Sequence, residues 1–223
     1  MQFIKSADWH PAIAVIQKRL KQELGAGKQV LWLVSGGSNV AASVTIMKGL
    51  AAPLTANLTI LLVDERYGVV GHPDSNGSQL LAAGFDHKRA TLLPVLVPNT
   101  SFATTRDRYE TLVRQTFTDN DIIIGQFGIG TDGHIAGILP DSAAAHSPHL
   151  VAAYPSQPYQ RLTLTHHALK RISVAYALAF GADKLPALEL LSAKLIPYSE
   201  QPAQILKELP EAYVFNDCIG EAI

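Results

Sequence analysis

Residues 122–140 read IIIGQFGIGTDGHIAGILP and hold the turn that decides the fold class of this chain. The run Ile122-Ile123-Ile124 is typical of a buried strand, and the four glycines within residues 128–140 surround Asp132 and His134. A strand that ends in such a turn presents polar side chains at the carboxyl edge of a sheet, where open α/β folds bind their ligands. Because glycine permits close backbone approaches, the turn indicates a histidine exposed to a substrate.

The same order of strand, turn and helix recurs along the chain. The run Gln29-Val30-Leu31-Trp32-Leu33-Val34 predicts a buried strand, and a helical stripe follows the turn Ser35-Gly36-Gly37-Ser38. A second apolar run at 58–63 leads directly into Asp64-Glu65-Arg66, and the periodicity at 102–117 predicts a further helix. Alternating strands and helices favour a three-layer α/β/α sandwich with a mostly parallel, Rossmann-like sheet.

The remainder of the chain continues this pattern without a boundary. We predict strands at 161–165 and 172–180, a helix carrying Leu185, Leu188 and Leu191, and a last strand at 212–215. Neither a repeat nor a linker divides the sequence, so residues 1–223 are expected to form a single domain.

Composition limits the kinds of partner. The chain is 48% hydrophobic with a net charge of -1 and has no basic patch, so we expect no nucleic acid and no membrane as partner. A single cysteine, Cys218, excludes a disulfide framework, and the histidine spacings do not favour a metal site. Without a leader-like or membrane-spanning segment, cytoplasmic residence is expected, as a monomer or small homo-oligomer.

The glycine loop, Ser35-Gly36-Gly37-Ser38, lies between a predicted strand and a predicted helix. Free backbone amides and the positive end of the helix dipole favour an anion there. The loop matches neither the P-loop nor the dinucleotide fingerprint, so the phosphate of a sugar fits better than a nucleotide. A tight turn capped by serine explains the loop alone equally well.

Three charged side chains follow the second strand, and one imidazole follows the strand at 122. Charges such as Asp64 and Arg66 at a strand end are either solvated or close to a ligand, and the loop at 68–76 could close over a cleft beside them.

A lone histidine in a turn is more often structural than catalytic. Asp132, two residues before His134, changes that balance, because a neighbouring carboxylate can orient the imidazole for general-base catalysis.

These motifs together resemble the 6-phosphogluconolactonase family, within a wider group that includes glucosamine-6-phosphate deaminase. The resemblance extends over nearly the whole chain, and its strength comes from the order of several motifs that are weak alone. The motifs are the glycine loop, Asp64-Glu65-Arg66, Asp74-Ser75-Asn76, residues 128–140, Arg161-Leu162-Thr163-Leu164-Thr165 and residues 181–184.

The resemblance implies hydrolysis of 6-phospho-D-glucono-1,5-lactone to 6-phosphogluconate, a step of the oxidative pentose phosphate pathway, without a metal or organic cofactor. By resemblance, the glycine loop binds the substrate phosphate together with Arg161 and Lys184. His134 is implied to activate water, and Arg66 to lie near the substrate. Asp132 would then hold His134.

Two alternatives stay open beside the lactonase. The deaminase branch shares the motif around His134 but carries a glutamate five residues after the histidine, where this chain has Leu139. Leucine transfers no protons, so hydrolysis is favoured. A non-catalytic sugar-phosphate-binding protein is the other alternative. The chain departs from the usual lactonase pattern at Asn39-Val40 and at Thr131, where an acidic residue is common.

Overall fold

The computed structural model describes residues 1–222 as strands and helices that alternate through most of the chain. The strands are β1 (Gln2–Lys5), β2 (Val30–Val34), β3 (Leu58–Leu62), β4 (Asp64–Arg66), β5 (Thr91–Leu93), β6 (Ile122–Phe127), β7 (Val151–Ser156), β8 (Tyr159–Leu164), β9 (Val174–Leu178), β10 (Glu211–Asn216) and β11 (Glu221–Ala222). The α-helices are α1 (His10–Gly25), α2 (Val40–Lys48), α3 (Asn76–Ala82), α4 (Phe102–Asp119), α5 (His166–Leu169) and α6 (Leu185–Ala193).

Eight strands form one sheet in the order β11-β1-β10-β9-β6-β2-β3-β5. Every pairing in this sheet is parallel. The central strands β2, β6 and β9 are buried along their whole length, as expected for parallel strands covered by helices on both faces. The predicted three-layer α/β/α architecture is confirmed.

A second, three-stranded antiparallel sheet, in the order β4-β8-β7, was not anticipated. The predicted strand at 161–165 belongs to this sheet and not to the main one. Its partner β4 is the segment Asp64–Arg66, which we had read only as charges after a strand. The pairing joins segments almost a hundred residues apart, so no local pattern in the sequence reveals it.

Several element boundaries also differ from the predictions. The short or half-exposed strands β1, β5 and β7 were not predicted, and β11 follows the strand that we expected to be the last. At the start of α1 the N-cap residue is Trp9, whose side chain makes no capping hydrogen bond. The Asp8 carboxylate accepts a hydrogen bond from the backbone N–H of His10 at 2.8 Å.

The strand order places the carboxyl ends of β2, β3 and β6 side by side. From β2 the chain continues to β3 and β5 on one side, then crosses back to β6 and β9 on the other. Such a reversal leaves a crevice between the loops that follow the two diverging strands, and open α/β sheets bind ligands in it. The loops that follow β2 and β6 are the glycine loop and the turn with His134.

Among residues 1–222, no helix is both long and apolar enough to cross a lipid bilayer.

The core prediction concerns Leu33, which is fully buried in β2 between β3 and β6. Leu33→Ala removes packed methyl groups from the centre of the sheet and is expected to lower the free energy of unfolding by about 2–5 kcal/mol. Urea denaturation followed by circular dichroism measures the loss. Val69→Ala, at a side chain that is 78% exposed, is the control and should change stability by less than about 0.5 kcal/mol. Equal effects of the two substitutions would contradict this placement of the core.

Candidate active site

One cleft of about 260 Å³ opens at the carboxyl edge of β2, β3 and β6. Its volume is close to the lower end of the range for small-molecule sites, roughly 300 Å³. The residues that line it come from the loops after β2 and β6, from β4 and β8, from the start of α3 and from the segment before α6. They are Ser35, Gly36, Gly37, Ser38, Asn39, Asp64, Arg66, Asn76, Gly128, Ile129, Gly130, His134, Ala136, Arg161 and Lys184.

The glycine loop has close neighbours that restrict what its positions can hold. Gly37 has a φ of 60°, which favours glycine, and it begins a short 3-10 helix, Gly37–Asn39, that continues into α2. A Cβ on Gly36 would lie 2.1 Å from Oδ1 of Asn76. Asn76 is buried, and its amide nitrogen donates to the backbone oxygen of Asp64 at 3.1 Å. A side chain at 36 would therefore displace Asn76 from the cleft wall.

A buried polar network joins the glycine loop to the end of β6. The hydroxyl of Ser35 donates to the backbone oxygen of Gln126 at 3.0 Å, and the Gln126 amide nitrogen lies 3.3 Å from the backbone oxygen of Asn39. With its amide group flipped by 180°, the Asn39 side chain donates to the Phe127 oxygen and accepts from the Gly128 nitrogen, both at 3.2 Å. These bonds hold the two loops of the crevice at a fixed separation.

Asp132 and His134 form a close pair beside this network. Nδ1 of His134 lies 2.6 Å from Oδ1 of Asp132, which also accepts from the His134 backbone nitrogen at 3.1 Å. The hydrogen bonds from His134 lower the pKa of Asp132 to about 2. An ionised carboxylate at Nδ1 favours the tautomer with its proton on that nitrogen, which leaves the lone pair of Nε2 available.

Glycine at position 130 makes this pair possible. A Cβ there would lie 2.1 Å from Nδ1 of His134 and 2.6 Å from the Asp132 carboxylate. Gly133 in the same turn has a φ of 78°. Its backbone oxygen accepts from the backbone nitrogen of Ala203 at 3.0 Å, which fixes the turn to the segment before β10. The imidazole, 37% exposed, is thus fixed at the cleft wall and still open to solvent.

The second sheet brings the charged side chains to the opposite wall. Arg66 and Arg161 lie directly opposite each other in the pairing of β4 with β8. Nη1 of Arg161 is 3.9 Å from Oδ2 of Asp64. Lys184, at the end of the 3-10 helix before α6, donates to the backbone oxygen of Ile129 and so contacts the strand-end turn. Three cations and one buried carboxyl therefore face the cleft, which suits an anionic ligand.

Asp64 is the titratable group that burial perturbs most within the cleft. Desolvation raises its pKa from 3.8 to about 6, and the neighbouring Glu65 acts in the same direction. Arg161, Arg66 and His134 oppose the increase. Near neutral pH this carboxyl is therefore only about one unit from its midpoint and can exchange a proton with a ligand.

Glu65 was not singled out from the sequence. In the structure its side chain fixes β4 to the start of α3. Its side chain points away from Asp64 toward the start of α3, where it accepts from the backbone nitrogens of Asn76 and Gly77 at 2.7 and 3.0 Å. It also accepts from the Ser75 hydroxyl at 2.9 Å. A carboxylate at a helix N-terminus satisfies free amides and interacts favourably with the helix dipole. Glu65 thus ties β4 to α3 and places Asn76 in the cleft.

The structure brings together nearly all the residues predicted from the sequence. Asp132 alone does not line the cleft, but it contacts His134, which does. Asn39 and Asn76 also line the cleft but were given no site role from the sequence, although Asn39 follows the glycine loop and Asn76 ends the motif Asp74-Ser75-Asn76. Within residues 1–222, no group of three or more His, Cys, Asp or Glu side chains is arranged to hold a metal ion.

The raised pKa of Asp64 predicts how stability depends on pH. The folded state binds this proton more tightly than the unfolded state, so its contribution is fully present below about pH 3.8 and is lost as the pH rises through about 6. Asp64→Asn does not titrate. Relative to the wild type it should gain about 2 kcal/mol between roughly pH 4.5 and 7.5, as measured by urea unfolding.

Asp107→Asn is the matched control, since that side chain is 64% exposed on α4. Its exposed ion pair with the neighbouring Arg106 contributes little, so this substitution should change stability by less than about 1 kcal/mol over the same pH interval. An equally small difference for Asp64→Asn would show that the cleft does not raise the pKa of this carboxyl.

Comparison with known proteins agrees with this geometry. Residues 7–214 match the family model described as glucosamine-6-phosphate isomerases/6-phosphogluconolactonase. The chain is 30% identical over 153 residues to a 6-phosphogluconolactonase of Helicobacter pylori. That match spans 66% of each chain, just under two thirds of the relative's length.

Solved structures show the same fold at lower identity. A 6-phosphogluconolactonase from Shewanella baltica superposes with a TM-score of 0.82 at 20% identity, covering 97% of both chains. A monomeric glucosamine-6-phosphate deaminase superposes with a TM-score of 0.78 at 18% identity, again covering 97% of both chains. Fold similarity alone therefore does not separate the two activities. Because the family model spans most of the sequence, this chain belongs to the glucosamine-6-phosphate isomerase/6-phosphogluconolactonase family.

Proposed function

We propose that this protein hydrolyses 6-phospho-D-glucono-1,5-lactone to 6-phosphogluconate, as a step of the oxidative pentose phosphate pathway. The observation that carries the proposal is the Asp132–His134 pair at the wall of a cationic cleft. The Helicobacter pylori relative named as a 6-phosphogluconolactonase supports the choice of substrate. The proposal assigns the whole chain to one catalytic domain.

In the proposed mechanism, His134 Nε2 removes a proton from a water molecule that attacks C1 of the lactone. The negative charge that develops on the carbonyl oxygen needs donors or cations nearby. Ionised Asp132 stabilises the imidazolium that forms, since its lowered pKa keeps it charged. When the tetrahedral intermediate collapses, the bond between C1 and the ring oxygen breaks. The imidazolium returns its proton to that oxygen, and the new carboxylic acid ionises.

The glycine loop, Arg161 and Lys184 are proposed to bind the phosphate, which is remote from the reacting carbon. Binding energy at this remote group orients the lactone without taking part in bond cleavage. Arg66 lies opposite Arg161 and is proposed to contact the substrate from the same wall. Asp64, buried beside them, is proposed to contact the sugar. The reaction as written uses no metal or organic cofactor.

The deaminase is the second candidate, and one observation favours keeping it in the test. Asp64 is a buried carboxyl with a pKa of about 6, which suits proton transfer in an aldose–ketose isomerisation. Against it, position 139 is a leucine that lies outside the set of residues lining the cleft. A non-catalytic sugar-phosphate-binding protein would keep the cations and show neither activity.

The test is a lactonase assay in which the lactone is generated in situ, because it also opens spontaneously. Purified protein should accelerate 6-phosphogluconate formation over an enzyme-free control. His134→Ala is expected to lower kcat by roughly 10²–10⁴, because the general base is lost. His167→Ala removes an exposed histidine outside the cleft and should retain wild-type activity.

Three outcomes would contradict the proposal in different ways. Ammonia release from glucosamine 6-phosphate without lactone hydrolysis would assign the chain to the deaminase branch. Binding of 6-phosphogluconate without turnover of either substrate would favour the binding protein. Near-wild-type hydrolysis by a folded His134→Ala variant would remove His134 from the mechanism.

A further inference from the structure

Arg66 and Arg161 form an arginine pair whose arrangement is electrostatically unfavourable by itself. The two residues are register partners in the antiparallel ladder of β4 and β8. Each side chain carries a positively charged guanidinium group. Like charges directly opposite each other on neighbouring strands destabilise a sheet. Other groups must therefore hold the pair in place, and these groups decide which ligand the pair can accept.

The hydrogen bonds of the arginine pair go to neutral acceptors and not to carboxylates. Nη1 of Arg66 donates to the backbone oxygen of Asp74 at 3.1 Å, and Nε of Arg161 donates to the Ser156 hydroxyl at 3.1 Å. Both of these acceptors are neutral. The Asp64 carboxylate is 3.9 Å from Arg161, beyond hydrogen-bond distance. Nε of Arg66 is buried without a hydrogen-bond partner among the described residues.

One aromatic ring contacts both members of the pair. The guanidinium carbon of Arg66 lies 4.7 Å from the centroid of the Tyr159 ring, and that of Arg161 lies 5.9 Å from it. Cations within about 6 Å of a ring are attracted to its π-face. Tyr159 begins β8 and pairs with Ser156 across the hairpin. Arg161 therefore contacts this end of the hairpin at two places, the Ser156 hydroxyl and the Tyr159 ring. The Tyr159 hydroxyl lies 3.4 Å from a carboxylate oxygen of Asp74, whose backbone oxygen accepts from Arg66.

A ring differs from a carboxylate as a partner for a guanidinium. A carboxylate occupies the N–H donors and neutralises the charge that an anionic ligand would use. An aromatic face orients the guanidinium plane and leaves its donors and its charge available. A ring shared by two arginines thus keeps both directed at one position and ready for a group with several acceptor oxygens. A phosphate monoester has three such oxygens and about two negative charges.

We infer that Tyr159 is a positioning residue that holds Arg66 and Arg161 as a convergent pair for the phosphate of the substrate. Tyr159 thereby sets the preference for phosphorylated over unphosphorylated sugar acids and lactones. This inference rests on the proposed function for the identity of the ligand. It adds a residue that does not line the cleft and whose side chain acts through the two arginines.

The experiment compares Tyr159→Leu, Tyr159→Gln and Tyr159→Phe with the wild type by isothermal titration calorimetry. The probes are 6-phosphogluconate and gluconate, which differ only in the phosphate. Loss of the ring in the Leu and Gln variants should weaken 6-phosphogluconate binding about tenfold, and gluconate binding should change less than about twofold. The Phe variant keeps the ring and should bind 6-phosphogluconate within about twofold of the wild type.

Gln160→Ala is the matched control, because Gln160 is exposed on the same hairpin and bonds Tyr67 only through its backbone oxygen. It should bind both probes as the wild type does. In lactonase kinetics, the Leu variant should raise KM for the phosphorylated lactone about tenfold with kcat changed less than about twofold, since His134 is untouched. Thermal denaturation of each variant establishes that it is folded, and Tyr159→Gln replaces Tyr159→Leu if the latter unfolds.

Unchanged 6-phosphogluconate affinity in both ring-free variants would overturn the inference. Equal weakening of 6-phosphogluconate and gluconate would also overturn it, because a general loss of cleft structure does not depend on phosphate. The calorimetric measurements need no turnover. A wild-type protein that binds 6-phosphogluconate without hydrolysing the lactone would therefore contradict the proposed function, while the test of Tyr159 would still apply. A wild type that hydrolyses the lactone while the Leu variant keeps its KM contradicts the inference about Tyr159 alone.

Discussion

The backbone of Val63 hydrogen-bonds to two sheets at once, and the positions of the charged groups in the cleft depend on this. Its nitrogen donates to the Val34 oxygen in the main sheet, and its oxygen accepts from the Leu164 nitrogen in the second sheet, both at 2.9 Å. Because Val63 is fully buried, neither bond can be exchanged for one to water without cost. The next three residues, Asp64–Arg66, therefore leave the parallel sheet and form β4, which pairs with β8. Their side chains alternate, so that Asp64 and Arg66 face the cleft and Glu65 faces α3.

The turn after β6 is held against the same second sheet. The backbone nitrogen of Gly137 donates to the Thr163 hydroxyl at 3.0 Å, and its oxygen accepts from the Tyr154 hydroxyl at 2.6 Å. A Cβ at this position would lie 3.0 Å from Cβ atoms of Asp64 and Thr163. The glycines of this turn thus permit close contact between the loop with His134 and the strands that carry the cations. This contact is what brings His134 and a wall of cationic side chains into one cleft.

The sequence predicts the parts of this arrangement that are local. Long apolar runs such as β2 and β6 are recognisable because parallel strands are buried on both faces, and the polar residues at their ends follow directly. The short strands at or next to the sheet edges, β1, β5 and β11, have no comparable run, since they are partly or fully exposed. The pairing of β4 with β8 depends on contacts distant in sequence. For that reason the roles of Asn76, Glu65 and Tyr159 emerge only from the structure.

The cleft combines features that oppose stability when no ligand is bound. Arg66 and Arg161 repel each other across the ladder, and burial of Asp64 disfavours its charged form. Fixed loops keep these groups from relaxing apart, because the Asn39 and Gln126 network holds the glycine loop against β6. A dianionic ligand between the arginines would offset the repulsion, so part of the electrostatic strain of the free protein is released as binding energy. The hydrogen bonds that join the two sheets at Val63 therefore hold like charges close together in one cleft.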